Sequence, residues 1–226
     1  MIKNRVTVFL AILCLCSCTP FACADGAQEL HDAHQRGLDL IEQSEAIGDA
    51  LFRAGFTLIR QAAEQNYAPA QYDMGVLYLK DEFGMKNVVI AEKWLRLAAE
   101  QGYRDACHNL GVMYCDGEGD TVPKNTREGL RWLARSAELG DVDDTVLLAL
   151  MYSNGDGMPV ILEEAYKWLT LGTLMGFPVS DEPELIEVER KCQSLSKHAR
   201  SRARTKALEI FAHIPKSAMT TQRELQ

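Results

Sequence analysis

Ala70-Gln71-Tyr72-Asp73-Met74-Gly75-Val76-Leu77-Tyr78, Ala106-Cys107-His108-Asn109-Leu110-Gly111-Val112-Met113-Tyr114 and Asp144-Thr145-Val146-Leu147-Leu148-Ala149-Leu150-Met151-Tyr152 are three versions of one segment, with their tyrosines in register. Downstream of each, a tryptophan (Trp94, Trp132, Trp168) precedes a glycine (Gly102, Gly140, Gly176) at a constant offset. A period of roughly 36 to 38 residues marks a solenoid of stacked supersecondary units, none of which buries its apolar face alone.

Each unit reads as helix, loop, helix. Ala70, Met74, Leu77 and Tyr78 recur at helical spacing and form the buried stripe of a first helix. Gly75 and Gly111, with Ala149 as third member, flank that stripe where a larger side chain would hold two helices apart. Glycine inside a helix costs about 1 kcal/mol against alanine, so its recurrence there requires a packing reason. Loop glycines follow: Gly84, then Gly117 and Gly119, then Gly155 and Gly157. Asn87 and Asn125 are placed to cap the second helices, whereas the third unit has Ile161 at that position. In the second helices Ala91, Gly129 and Ala165 each stand three residues before a tryptophan, which assigns the indoles to helix junctions.

Outward from this array, residues 25–67 read as two helices forming a degenerate cap repeat. The second, about 49–65, ends in Arg60-Gln61-Ala62-Ala63-Glu64-Gln65-Asn66-Tyr67, an echo of Arg96-Leu97-Ala98-Ala99-Glu100-Gln101-Gly102-Tyr103. His31 and His34 on the first have no further ligands at motif spacing and read as ordinary exposed histidines. Beyond Pro178 the stripe Leu185, Val188, Cys192, Leu195, Ala199, Ala203, Ala207, Ile210 and Ile214 predicts one long helix over 179–214, capped by Ser180 or Asp181, that closes the stack; residues 215–226 form a tail. Its outer face is basic, with Arg190, Lys191, Lys197, Arg200 and Arg204, which reads as a solvated face or, alternatively, as a docking surface for an acidic partner or an anionic surface.

The first 24 residues carry Lys3 and Arg5, an apolar run from Val6 to Cys16, and Ala22-Cys23-Ala24, the layout of a secretory signal. Cleavage after Ala24 gives a periplasmic protein; Leu15-Cys16-Ser17-Cys18 resembles a lipobox that would place a lipid on Cys18 and make an envelope lipoprotein. Four of the seven cysteines lie in this leader, leaving Cys107, Cys115 and Cys192. Cys107 and Cys115 sit about 12 Å apart along one predicted helix, too far to bridge, so burial as small apolar side chains or a bridge to Cys192 remain. The formal charge is −8, which disfavours a phosphate backbone and hence a nucleic-acid partner. Asp116, Glu118 and Asp120 lack the spacing of a calcium loop. No G-x-S-x-G, H-E-x-x-H or P-loop occurs, and neither a cofactor nor a metal is implied.

The pattern Ala-x-x-x-Leu-Gly-x-x-Tyr, glycine loop, Ala-x-x-Trp and Ala-Ala-x-x-Gly resembles the Sel1-like repeats, relatives of the tetratricopeptide repeat. The resemblance covers 68–103, 104–141 and 142–178, the last departing at Asp144, Ala149 and Thr173. It implies an all-α fold, an α/α right-handed superhelical solenoid of helix-loop-helix repeats, and a non-enzymatic adaptor role in the bacterial envelope. By similarity to tetratricopeptide grooves, the concave positions that would meet a peptide or protein partner are Tyr72, Val76, Leu79 and Lys80; Asp105, His108, Val112, Cys115 and Asp116; and Asp143, Val146, Leu150, Ser153 and Asn154. A cysteine-rich secreted branch associated with penicillin binding bridges neighbouring units, but Ala99 stands where Cys107 would need its partner. A weak hydrolase of cell wall or β-lactam, and a periplasmic regulator of a membrane sensor, are the alternatives.

Overall fold

The computed structural model describes residues 26–47, 49–80, 84–117, 121–179 and 182–216. The leader, its Cys18, and the tail beyond residue 216 lie outside the described residues. The described chain is entirely helical: α1 Gly26–Ile47, α2 Asp49–Glu64, α3 Ala68–Leu79, α4 Val88–Glu100, α5 Arg104–Asp116, α6 Thr126–Glu138, α7 Val142–Asn154, α8 Leu162–Leu174, α9 Pro183–Cys192 and α10 Lys197–His213. It divides into two compact units, one ending at Met74 and the other beginning at Gly75.

In the first unit α1 and α2 cross at a pair of glycines. A Cβ on Gly37 would meet Ile59 Cγ1 at 2.6 Å, and one on Gly55 would meet the Gly37 carbonyl oxygen at 2.5 Å. Of the two histidines of α1 expected to be exposed, one is and one is not. His31 is exposed, with Nδ1 3.1 Å from the Tyr67 hydroxyl. His34 is buried; its Nε2–H donates to Asp73, and its ring meets Tyr67 edge-on with centroids 5.5 Å apart. A histidine on the apolar stripe is tolerated because a carboxylate one repeat away supplies its acceptor.

The second unit is a ladder in which each helix packs on the next, from α4 through α8. The recurrent small residues set the approach. A Cβ on Gly75 would lie 2.6 Å from Leu95 Cγ, and one on Gly111 the same distance from Leu133 Cγ. Both leucines are fully buried. The loops differ in length yet share one bond: the amides of Asn87, Asn125 and Ile161 donate to the carbonyls of Tyr78, Tyr114 and Tyr152 at 2.8, 2.7 and 2.9 Å. That bond fixes where each second helix starts. Asn87 and Asn125 then cap through side-chain oxygens that accept from Ile90 and Glu128 amides, while Ile161 makes no cap bond. Each second helix ends at a left-handed residue, Gly102 (φ 82°), Gly140 (102°) and Gly176 (98°), with Asn66 (66°) as the counterpart in the first unit. Asparagine is among the few side chains that adopt this conformation readily.

Trp168 is buried as a junction residue, whereas Trp94 and Trp132 are half-exposed. Arg96 ties neighbouring units by stacking 5.8 Å from the Tyr114 centroid and 6.0 Å from that of Trp132. Tyr114 donates to Glu92 and accepts from Arg96, and burial followed by the Glu92 bond pushes its hydroxyl up to about 12.

The C-terminal segment is two helices, not the one expected. The stripe is as read, with Leu185, Val188, Cys192, Ala199, Ala203, Ala207 and Ile214 buried, but the chain turns between Cys192 and Lys197. Ser194 Oγ donates to the Lys191 carbonyl at 2.8 Å, and Ser196 Oγ accepts from the Ala199 amide at 3.1 Å to start α10. Serine hydroxyls compete with the helix ladder and favour a cap. The N-cap of α9 is Glu182, which makes no side-chain cap bond, and Pro183 opens the helix; the expected caps Ser180 and Asp181 lie outside the described residues. Both helices pack on α8.

Candidate functional site

The first helices of the second and third repeats, α5 and α7, carry most of the expected partner-binding positions. Near their N-terminal ends an ionic network joins them. His108 Nδ1–H donates to Asp144 Oδ1 at 2.8 Å. Arg104 Nε bonds Asp105 at 3.0 Å and lies 3.7 Å from Asp141. Asp141 Oδ1 accepts the Asp144 amide at 3.1 Å and so caps α7. The Asp144 bond is the main cause that raises the His108 pKa, so the pair favours the imidazolium. Burial raises the Asp141 carboxyl. Asp144 is itself buried, and its Oδ2 has no hydrogen-bond partner.

Toward the C-terminal ends of the same helices lies a cleft of about 470 Å³, whose lining includes Val112, Asp116, Lys124, Leu147 and Met151. Val112, Val146 and Leu150 are half-buried and rest against the core below. Asp143 is exposed on the first turn of α7, and Lys80 is exposed beyond the end of α3. Tyr72, in the first unit, and Val76 and Leu79, in the second, are half-buried on α3.

Three expected positions sit differently. Cys115 is only 7% exposed, lining the cleft while its thiol lies against Gly129 of α6, and Ser153 is buried, its hydroxyl accepting from Lys191 Nζ of α9 at 3.4 Å. Asn154 is exposed but engaged: its Oδ1 accepts from Lys191 Nζ of α9 at 3.0 Å. The structure therefore brings Val112 and Asp116 together at the cleft and places Asp105 and His108 in the network. Asp141, Asp144, Leu147 and Met151 were missed as members of this face. Asp144 carries the one signal that pointed to it, an acid where the other two units have Ala70 and Ala106.

On the C-terminal pair, Arg190 is bound through both nitrogens to Glu187 at 2.7 Å, and Arg202 to Glu163 at 2.8 Å. The open positive strip is then Lys197, Arg200 and Arg204, which have no acidic partner among the described residues. All three remaining thiols are free and buried, and burial pushes each to about 11. Among the described residues no group of three metal-ligating side chains forms, and no helix is long and apolar enough to cross a membrane.

A family model of the Sel1 repeat matches residues 68–103, 104–141 and 146–177. The third match begins after Asp144, where the period departs from the pattern. A comparison with curated proteins gives no match. Among solved structures, the chain is similar to a Sel1 repeat protein from Oxalobacter formigenes, with 25% identity, a TM-score of 0.60, and coverage of 86% of this chain and 77% of that one. It is also similar to a protective antigen present in uropathogenic Escherichia coli strains and displaying an SLR fold, with 21% identity, a TM-score of 0.40, and coverage of 87% of this chain and 48% of that one.

Proposed function

Starting from a chain that carries three Sel1 repeats over residues 68–177, scaffold units that mediate protein–protein interaction, we propose that it is a non-enzymatic adaptor whose first-helix face holds a partner's peptide or helix. The observation that carries this reading is the surface on α5 and α7. A cleft with apolar walls at Val112, Leu147 and Met151 opens beside charged Asp116 and Lys124, and the network of Arg104, Asp105, His108 and Asp141 continues the same face. Apolar pockets flanked by polar anchors suit an extended peptide or an amphipathic helix. The concave list becomes Asp105, His108, Val112, Asp116, Asp143 and Val146 in these two repeats, with Val76 on α3 and Lys80 just past its end.

We place the protein in the cell envelope on the strength of the leader at residues 1–24, either in the periplasm after cleavage behind Ala24 or anchored through Cys18. Mass spectrometry of the mature N-terminus decides between them. Lys197, Arg200 and Arg204 offer a second, acidic-partner surface, as expected if the protein regulates a membrane sensor. The test of the main reading is affinity capture from envelope extract with the wild type and with Val112→Glu, His108→Ala and Val146→Ala. Recovery of a specific partner falls at least tenfold for Val112→Glu; unchanged recovery across all three overturns it.

A further inference from the structure

The second helices carry a different cleft. Between α6, α8 and the loop at 157–161 a space of about 530 Å³ is walled by Tyr152, Met158 and Ile161 and rimmed by Arg127, Arg131 and Lys167. Glu138 is the single acid in its lining. Ile161 and the adjacent Val160 are 40% and 54% exposed, among the most open large apolar side chains described. Arg131 is held by Glu128 at 3.0 Å, but Arg127 has no acidic partner among the described residues.

The wall also contains an unpaired donor. In the preceding repeat Trp132 donates its indole N–H to Glu128, one helical turn earlier, at 3.1 Å. Glu164 stands in the same place relative to Trp168, but its Oε2 meets Lys167 Nζ at 2.5 Å and neither of its oxygens reaches the indole, whereas Glu128 holds Arg131 and Trp132 at once. The Lys167 ammonium lies 4.1 Å from the Trp168 ring centroid. Trp168 is 2% exposed, and its Nε1 is buried with no acceptor. A buried donor without a partner is rare in folded proteins and identifies an arrangement held short of its best pairing.

We propose that this cleft binds a partner segment carrying a carboxylate beside an apolar side chain, and that binding exchanges the pairs in its wall. The ligand carboxylate takes Lys167 and Arg127 while its apolar neighbour fills the space at Met158 and Ile161. Glu164, released from Lys167, accepts the Trp168 indole N–H as Glu128 already does for Trp132. Lys167 gives up one carboxylate for another, so no charge is stranded, and the orphan donor gains its acceptor. The size fits a few side chains of an extended segment, and an excess of cations around an apolar wall selects acidic over basic sequences. Apart from Tyr152 of α7 the site lies on second helices and the loop at 157–161, and it stands independently of the first-helix reading.

The test is NMR of the full chain labelled at the tryptophan indole nitrogens, with the three signals assigned by single Trp→Phe variants. The probe is a blocked hexapeptide alternating leucine and glutamate. It shifts the Trp168 indole proton downfield saturably and leaves Trp94 and Trp132 in place, and Arg127→Glu weakens the apparent affinity roughly tenfold. Lys167→Met, which frees Glu164 without any ligand, shows the shifted Trp168 signal in the absence of peptide. A Trp168 signal that stays fixed at saturating peptide, or in Lys167→Met, overturns the proposal. So does an equal response to inorganic phosphate, which marks a plain anion site, or to the leucine–lysine hexapeptide, which marks an apolar groove without charge selection. Shifts confined to α5 and α7 amides overturn it while supporting the first-helix face.

Discussion

Gly129→Ala tests the packing of the repeats at its tightest point. In a solvent-exposed helix the change would stabilise by about 1 kcal/mol through helix propensity. Gly129 is buried in α6 against α5, and a Cβ there would lie 2.7 Å from the Gly111 carbonyl oxygen and 2.9 Å from the Cys115 amide nitrogen, besides running into the Cys115 thiol. Two of the three obstacles are backbone, so no rotamer change relieves them and the helices themselves must part. Overpacking costs about 1–3 kcal/mol, and a backbone-limited site belongs at the upper end. Setting roughly 3 kcal/mol against roughly 1 leaves a net loss of about 2 kcal/mol, a fall of about 4–8 °C in melting temperature for a chain of this size. Thermal and urea unfolding followed by circular dichroism read the change. A double-mutant cycle with Cys115→Ala separates the obstacles: the thiol is removed but the backbone atoms stay, so rescue is partial. A Gly129→Ala protein as stable as wild type, or a complete rescue by Cys115→Ala, refutes the reasoning.

Further outcomes follow from the same geometry. Because its folded pKa is raised by Asp144, His108 contributes stability that is fully present below its unfolded value near 6.5 and is lost as pH rises through the folded value. The stability gap between wild type and His108→Gln therefore narrows as pH rises from below about 6.5 through the raised folded value; by urea titration the narrowing stays under about 1 kcal/mol, since the imidazole is 40% exposed and screened. A gap that widens with pH contradicts the assignment. Cys107, Cys115 and Cys192, buried and raised to about 11, resist a disulfide-exchange reagent in the native state and all react in denaturant; fast native labelling of any one is the contrary result. Ser196→Ala removes the cap of α10 and lowers stability by about 1 kcal/mol in chemical denaturation, whereas an unbroken helix through residues 193–196 would lose nothing.

The repeat architecture was legible because it rests on side-chain size at fixed positions. Gly75, Gly111 and Gly129 stand where helices nearly touch, Asn87 and Asn125 cap as their spacing requires, and Ile161 lacks a cap bond as its side chain dictates. What the sequence concealed depends on partners far along the chain. His34 reads as an exposed histidine until Asp73 is folded against it. Periodicity ran straight through residues 193–196, since the break at Ser194 and Ser196 preserves the apolar stripe on both sides and is written only in local hydroxyl bonds. Cys115 and Ser153 were assigned to the open face by similarity to tetratricopeptide grooves, but both are nearly closed off from solvent, one against Gly129 and the other under Lys191. Arg190 belonged to the basic face in sequence and is held by Glu187 in the fold. Charge runs along one helix do not reveal which cations neighbouring elements have already neutralised.

The central claim, that a partner lies along the first helices of the second and third repeats, is tested most directly by site-specific photo-crosslinking in the native envelope. Benzoylphenylalanine replaces Val112 or Asp116 at the α5 cleft, or Leu97, which is 43% exposed on the second helix α4. The account predicts one common adduct from positions 112 and 116 and none from 97. An adduct from 97 with none from 112 and 116 contradicts it.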